Sequence, residues 1–259
     1  MATAETRTLV LGRNDVARLL PLRELAGALG DGFIRHSTEP QAEAARAEAA
    51  VDGAPMRAVL PGLLAGYDGC SARVDLHRPA GDGASGRPLP SGALLLVDRA
   101  SGRPRAIVEA TLIGAMSAAA AGALAVTALA RAGAGRVALF GAGMQGAWQL
   151  GALHAVGRLE AASIFDVEGS RARQLADELA RHFKAATRAV DSPEAALDGA
   201  DVIVTVTPTR AAWLRREQVR PGVHVNALGA DEPGKVELEA ALLKGSKLVV
   251  DDRAEALRR

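Results

Sequence analysis

Sulfur, aromatic rings and any imbalance of charge are all scarce in this chain, and each scarcity excludes something. Cys70 is the one cysteine among 259 residues. No disulfide can close within the chain, and a multi-cysteine metal site is impossible. A single thiol fits a reducing compartment, so a cytoplasmic location is expected. Aromatic residues make up 3%, which leaves the core to Leu, Val, Ile and Ala. Lys and Arg total 31 against 30 Asp and Glu, a formal net charge of +1. Such a chain has no field to gather a polyanion and no basic run interleaved with aromatics, so no nucleic-acid partner is expected. Residues 1–10 lack the apolar core of a signal peptide. The most apolar stretch, 118–130, is Ala-rich with ordinary soluble flanks, and a buried helix rather than a membrane span is expected there. No His, Asp or Glu spacing suggests a metal site. Neither a Gly-x-Ser-x-Gly elbow nor a Walker pattern occurs, which removes the common hydrolase and ATPase readings.

What remains is an ordinary globular mixture, 49% hydrophobic and 24% charged, long enough for one large domain or two smaller ones. In the first half, Leu9, Val16, Leu19, Leu20, Leu25, Leu29 and Phe33 recur at helical spacing. Residues 39–50 are rich in Ala and Glu without an apolar face. A strand is predicted at 71–76, and the glycines and prolines of 79–92 predict a loop. Strands at 93–98 and 106–109 flank the turn chemistry of Ser101, Gly102, Arg103 and Pro104 and predict a hairpin. Thr111 is a candidate cap for a helix reaching Arg131.

A Gly/Ala joint at 132–135 divides the chain into an expected substrate or dimerisation domain, 1–131, and a second domain, 132–259. Beyond the joint the period changes. Strands are predicted at 137–140, 162–165, 186–190, 202–206, 223–227 and 248–250, with helices at 145–156, 171–183 and 193–197. Such alternation predicts a doubly wound parallel sheet.

The first strand of that sheet runs into Gly141, Ala142, Gly143, Met144, Gln145 and Gly146. The first glycine permits a tight turn, the second lets backbone approach a pyrophosphate, and the third lets helix and strand pack closely. Backbone N–H groups of the turn and the opening helix, Met144 and Gln145 included, then face the phosphates. Asp166 ends the next strand twenty residues after Gly146, where a carboxylate accepts hydrogen bonds from both ribose hydroxyls and repels a 2′-phosphate. NAD is therefore expected in preference to NADP, with Arg171 and Arg173 as nearby cations that soften the preference.

Several runs together resemble the ornithine cyclodeaminase/mu-crystallin family: MRAVLPG at 56–62, LLLVDRASGRP at 94–104, the helix at 111–131, GAGMQG at 141–146, VTVT at 204–207 and NALGADEPGK at 226–235. The resemblance implies an α/β fold, in which a Rossmann doubly wound parallel sheet stands beside a smaller α/β substrate and dimerisation domain. It implies a homodimer acting on an amino acid or cyclic imine by NAD(P)-dependent hydride transfer at Cα, as a cyclodeaminase, ketimine reductase or amino-acid dehydrogenase. It also implies cofactor contacts at Thr205, Thr207, Leu228 and Gly229. Asp231, just past a strand at the carboxyl edge of the sheet, becomes the candidate acid or base.

The departures from that pattern concern the substrate. Ser117 stands where the family has a carboxylate-binding arginine, and losing a bidentate arginine removes a strong, oriented contact. Arg73 takes the place of a lysine, keeping the charge and changing the reach. Arg46 is a displaced candidate for a further arginine. The C-terminal segment that returns to the first domain in the family is not found in this sequence. An alternative reading follows: a dinucleotide- or small-ligand-binding relative without efficient catalysis, or a truncated inactive product.

Overall fold

The computed structural model describes residues 7–38, 49–51, 54–56, 60–63, 67–76, 91–231 and 234–257. The chain forms two compact units, Met1–Ser117 and Ala118–Arg259. The division falls inside a long helix, and the joint expected at 132–135 lies just beyond that helix.

The first unit holds β1 (Leu9–Leu11), α1 (Arg13–Leu19), α2 (Leu22–Thr38), β2 (Ala49–Val51), β3 (Ala54–Met56), β4 (Leu60–Leu63), β5 (Gly69–Leu76), β6 (Ser91–Asp98), β7 (Pro104–Glu109) and the start of α3 (Ala110–Leu129). Five strands form a sheet in the order β1-β7-β6-β5-β4. β1 runs parallel to β7 and the other pairs are antiparallel. Ala106 and Val108 face inward on β7, 4% and 5% exposed.

Three expectations need correction here. Leu9 is not part of a helix but of the edge strand β1, and the helical spacing that followed it is shared by two helices broken at Leu20 and Pro21. Proline has no N–H to donate and disfavours helical backbone in the residue before it. Second, the helix start at α3 is capped not by Thr111 but by Glu109, whose carboxylate accepts from the N–H groups of Thr111 at 3.0 Å and Leu112 at 2.9 Å. A longer acid just before the first helical residue reaches donors that a short hydroxyl inside the helix does not. Third, β6 begins at Ser91, inside the run 79–92 expected to be loop, because pairing with β5 extends the strand to Leu76↔Ser91. The rest of that run and most of 39–50 lie outside the described residues.

The β6–β7 hairpin has the predicted turn. Gly102 has φ 69°, and the Asp98 carboxylate accepts from the Ser101 N–H at 2.7 Å and hydroxyl at 2.8 Å. Arg105 and these Ser101 donors hold the Asp98 carboxyl well below its ordinary range. α3 is apolar on every side and long enough to cross a bilayer. Its residues Ala110, Ala119, Ala120, Ala123 and Val126 are fully buried, which makes it a core helix of small residues.

The second unit contains β8 (Arg136–Phe140), α4 (Met144–Ala155), β9 (Ala161–Phe165), α5 (Gly169–His182), β10 (Ala186–Ala189), α6 (Pro193–Leu197), β11 (Val202–Thr205), β12 (His224–Ala227), α7 (Ala240–Lys244) and α8 (Arg253–Ala256). The strand order is β10-β9-β8-β11-β12, all parallel. Order therefore reverses between β8 and β11, the position where ligands of doubly wound sheets bind. Every residue of β11 is buried, and Phe140 packs under Trp213 with ring centroids 4.4 Å apart. At the other end of the sheet Asp201 fastens the start of β8, accepting from the N–H groups of Gly135 and Arg136 and pairing with Arg131. Burial opposes its ionisation. The Arg136 and Gly135 N–H groups and the charges on Arg131 and Arg136 outweigh burial, and the carboxyl sits below its ordinary range.

The sixth strand, expected at 248–250, is not formed. Among the described residues Leu248, Val249 and Val250 belong to no ladder and are 66%, 52% and 42% exposed. An apolar triplet fits a strand, but only a neighbouring strand makes it one.

Candidate functional site

The three glycines after β8 do three different things. Gly141 has φ 103°, donates its N–H to the Phe165 carbonyl at 3.0 Å, and leaves no room for a side chain: a Cβ would lie 2.9 Å from the Val206 carbonyl oxygen. Gly143 caps α4 with φ −86°. A Cβ built there meets nothing within 4 Å, so the glycine keeps open a space that the protein itself does not fill. Gly146 is buried on the sheet, where a Cβ would lie 2.2 Å from the Gly141 carbonyl oxygen and 3.1 Å from Leu139 Cδ2. Met144 and Gln145 open α4, which sets their backbone amides at its positive end. Open space at Gly143 beside a helix start fits the pyrophosphate of a dinucleotide.

Asp166 follows β9 and is half-buried. One carboxylate oxygen accepts the Ala142 N–H at 2.8 Å and the other the Glu168 N–H at 2.9 Å. The acid thus ties the glycine turn to the next strand, a role its spacing alone did not reveal. Of the two downstream cations, Arg171 pairs with Glu168 at 2.8 Å, and the Arg173 guanidinium lies over Gly169.

The carboxyl ends of β11 and β12 are organised by a residue that sequence reasoning missed. Glu237 is 1% exposed. Its Oε2 accepts from the Thr205 hydroxyl at 2.8 Å and the Gly229 N–H at 2.8 Å. Its Oε1 accepts from the Thr207 N–H at 2.8 Å and hydroxyl at 2.6 Å. Thr205, Thr207 and Gly229, expected at a cofactor, direct these donors at Glu237, and Gly229 has no space for a Cβ between Thr207 and Glu237. Leu228 is half-buried and donates its N–H to the Thr205 carbonyl at 2.9 Å. An acid between Val236 and Leu238 in an alternating run carries no local sign that it is buried, because three of its four donors come from a segment some thirty residues away.

Asp231 lies on the loop after β12. Its carboxylate is 61% exposed and accepts from Lys235 Nζ at 2.8 Å, while the Lys235 side chain is only 16% exposed. Deeper in the unit, Asn226 donates to the Gly122 carbonyl at 2.9 Å and meets His224 Nε2 at 2.8 Å. His154 stacks on Phe183 with centroids 4.2 Å apart.

In the first unit, Arg73 sits on β5 between Leu60 and Leu94. Its guanidinium rests against α3 at Gly114, where a Cβ would lie 2.6 Å from Nη2. Ser117 is one turn further along the same helix and is half-buried. The cation that the sequence retains thus reaches the helix that lost one. Arg46 lies outside the described residues.

Comparison with known proteins agrees with this layout. The sequence profile of the ornithine cyclodeaminase/mu-crystallin family matches residues 6–259. The alanine dehydrogenase of Archaeoglobus fulgidus is 31% identical over 255 residues, 96% of this chain and 75% of that protein. Of other curated relatives the chain spans about half the length. An archaeal alanine dehydrogenase dimer with bound NAD superimposes with a TM-score of 0.85 at 29% identity, covering 96% of this chain and 76% of that one. The Thermococcus litoralis Δ1-pyrroline-2-carboxylate reductase, in complex with NADH and L-proline, gives 0.85 at 26% identity, covering 95% and 76%.

Proposed function

Since the chain belongs to the ornithine cyclodeaminase/mu-crystallin family, we propose that it is an NAD-dependent enzyme acting at the Cα of a small amino acid or cyclic imine. The observation that carries the proposal is the glycine turn. Two glycines with separate steric reasons and a third, Gly143, beside open space, at a helix start and joined to Asp166, support a dinucleotide cradle rather than an incidental tight turn. When bound, the dinucleotide supplies hydride exchange at Cα.

The chain's own residues do the rest. Asp166 is fixed by two N–H groups, so its charge stands where an adenosine ribose would lie and disfavours a 2′-phosphate. This supports NAD over NADP, and the Arg171–Glu168 pair offsets one of the nearby cations. Asp231 is exposed enough to meet a ligand and is paired with Lys235. In this reading it takes the proton from, or returns it to, the substrate nitrogen as that atom passes between amine and iminium. Arg73, lying along α3, holds the substrate carboxylate in place of the arginine that Ser117 replaces.

A homodimer is part of the reading. Val10, Ile107, Leu95 and Ala72 form one row across the outer face of the first sheet, with Val74 and Ala93 beside it. Val10, Ile107 and Val74 are 76%, 44% and 43% exposed. An apolar face of that kind calls for a partner, and the archaeal alanine dehydrogenase is a dimer.

A second reading, a ligand-binding relative without efficient catalysis, is favoured by Ser117 alone. One screen decides between them: NADH formation from amino acids, and NADH consumption with cyclic imines. Turnover with at least one small substrate is expected. Tight NADH binding with no turnover across both panels would overturn the enzymatic reading in favour of the second.

A further inference from the structure

The loop carrying Asp231 is closed at both ends by one side chain. The Gly229 N–H donates to Glu237 Oε2, eight residues on. Asp231 stands two residues inside the first end and Lys235 two inside the second. The same carboxylate takes three more hydrogen bonds, all from the end of β11, through Thr205 and Thr207. Beyond it, the Glu237 carbonyl accepts from Trp213 at 3.0 Å and Leu214 at 3.1 Å, and the Val236 N–H donates to Thr209 at 3.1 Å. The descending arm of the loop is therefore laid along residues 209–214 and fastened to the sheet at one point.

The donors gathered at that point suit a carboxylate side chain. A carboxylate is acceptor-only, with about four lone-pair sites, and the four donors aimed at Glu237 fill them. Two of the four are hydroxyls, which can turn to another acceptor. The other two are the backbone N–H groups of Thr207 and Gly229, one on each oxygen, and these are fixed. A glutamine has a single acceptor oxygen, so in either orientation its NH2 group confronts one of the two backbone donors.

We propose that Glu237 is the positioning residue for the Asp231–Lys235 pair: its carboxylate fixes the 229–237 loop to the end of β11 and so sets where the acid–base group stands. The proposal rests on the reading of Asp231 as the acid or base. It assigns Glu237 no contact with substrate or cofactor.

The test is Glu237→Gln in the full chain, read by hydrogen–deuterium exchange and by turnover on the best substrate of the screen. Exchange should rise at the described amides of 229–237 while those of β8 and β9 keep their protection. Since a misplacement of about 1 Å costs on the order of a hundredfold in rate, kcat should fall about ten- to a hundredfold with NADH affinity within about threefold. In an Asp231→Asn background, Glu237→Gln should cost little more, because the group it positions is already disabled. Thr205→Val, which removes one buried hydroxyl without confronting a backbone donor, should give the same local pattern more weakly and serves if Glu237→Gln fails to fold. Unchanged loop exchange, or protection lost evenly through the unit, would overturn the proposal. So would an undiminished effect of Glu237→Gln in the Asp231→Asn background. Full turnover by Asp231→Asn alone would instead sink the acid–base reading, while the exchange result would still report whether Glu237 holds the loop.

Discussion

Gly143→Ala separates binding from folding more cleanly than any other change in the second unit. The φ of −86° suits alanine, and a Cβ meets no protein atom within 4 Å. The remaining cost to the fold is that of alanine against glycine at a helix cap, at most about 1 kcal/mol. In the proposed reading, the space that the methyl enters is the one the pyrophosphate takes. Pushing the anion back removes one or two charge-assisted hydrogen bonds, each worth about 1.5–3 kcal/mol. At 1.4 kcal/mol per tenfold, NADH affinity should fall roughly a hundredfold. Gly146→Ala is the contrasting variant. Its Cβ would stand 2.2 Å from a backbone oxygen, so α4 must lift by about 1 Å. Strain of that sort costs about 1–3 kcal/mol, and stability and binding should fall together. Nicotinamide fluorescence titration and thermal melts of the two variants give four numbers. If Gly143→Ala melts like the parent and binds NADH within threefold of it, the pyrophosphate does not lie on this turn and the site assignment is wrong.

Other outcomes follow from neighbouring features. Asp231→Asn should lower turnover about a hundred- to ten-thousand-fold and leave NADH affinity nearly unchanged; a collapse of both would mean the site itself was damaged. NADH should bind more tightly than NADPH because of the charge on Asp166, and equal or tighter NADPH binding would point to Arg171 or Arg173 as phosphate partners. Ornithine should be a poor substrate, about two orders of magnitude below a family member that keeps the arginine, and robust proline formation would show that another cation has replaced it. Asp201 has its carboxyl lowered in the folded state, so the stability it contributes is complete above the unfolded value near 4 and is lost as pH falls below it. Melts should therefore drop below about pH 4, and Asp201→Asn should be less stable at pH 7 with a flatter acid limb; parallel pH curves would refute the assignment.

The parts of this molecule readable from sequence are those whose cause is local. Gly141 and Gly146 each answer to atoms within a few residues or at the end of an adjacent strand, so the tight turn they make was legible from their spacing. The alternating elements from β8 to β12 were legible because period is a property of the segment itself. Glu237 was not legible, since three of its four donors come from Thr205 and Thr207, some thirty residues upstream, and nothing at 237 distinguishes a buried acid from a solvated one. Residues 248–250 failed in the opposite sense: their composition suits a strand, but a strand is a relation to a neighbour. Leu9 was misplaced because its strand is made by pairing with β7, and Thr111 because the Glu109 carboxylate takes the cap.

The pairing of β1 with β7 also has a consequence for the order of events on the ribosome. Leu9 lies opposite Ala106, so the edge strand waits for nearly a hundred residues to be made before its partner exists. At about 5–20 residues per second that is a delay of roughly 5–20 s. Throughout it, Leu9 and Val10 form a short apolar segment whose backbone has only water as a hydrogen-bond partner. The β6–β7 hairpin closes over a few residues and has no such delay. The order of synthesis therefore lets the hairpins of the first sheet form first and adds its N-terminal edge last.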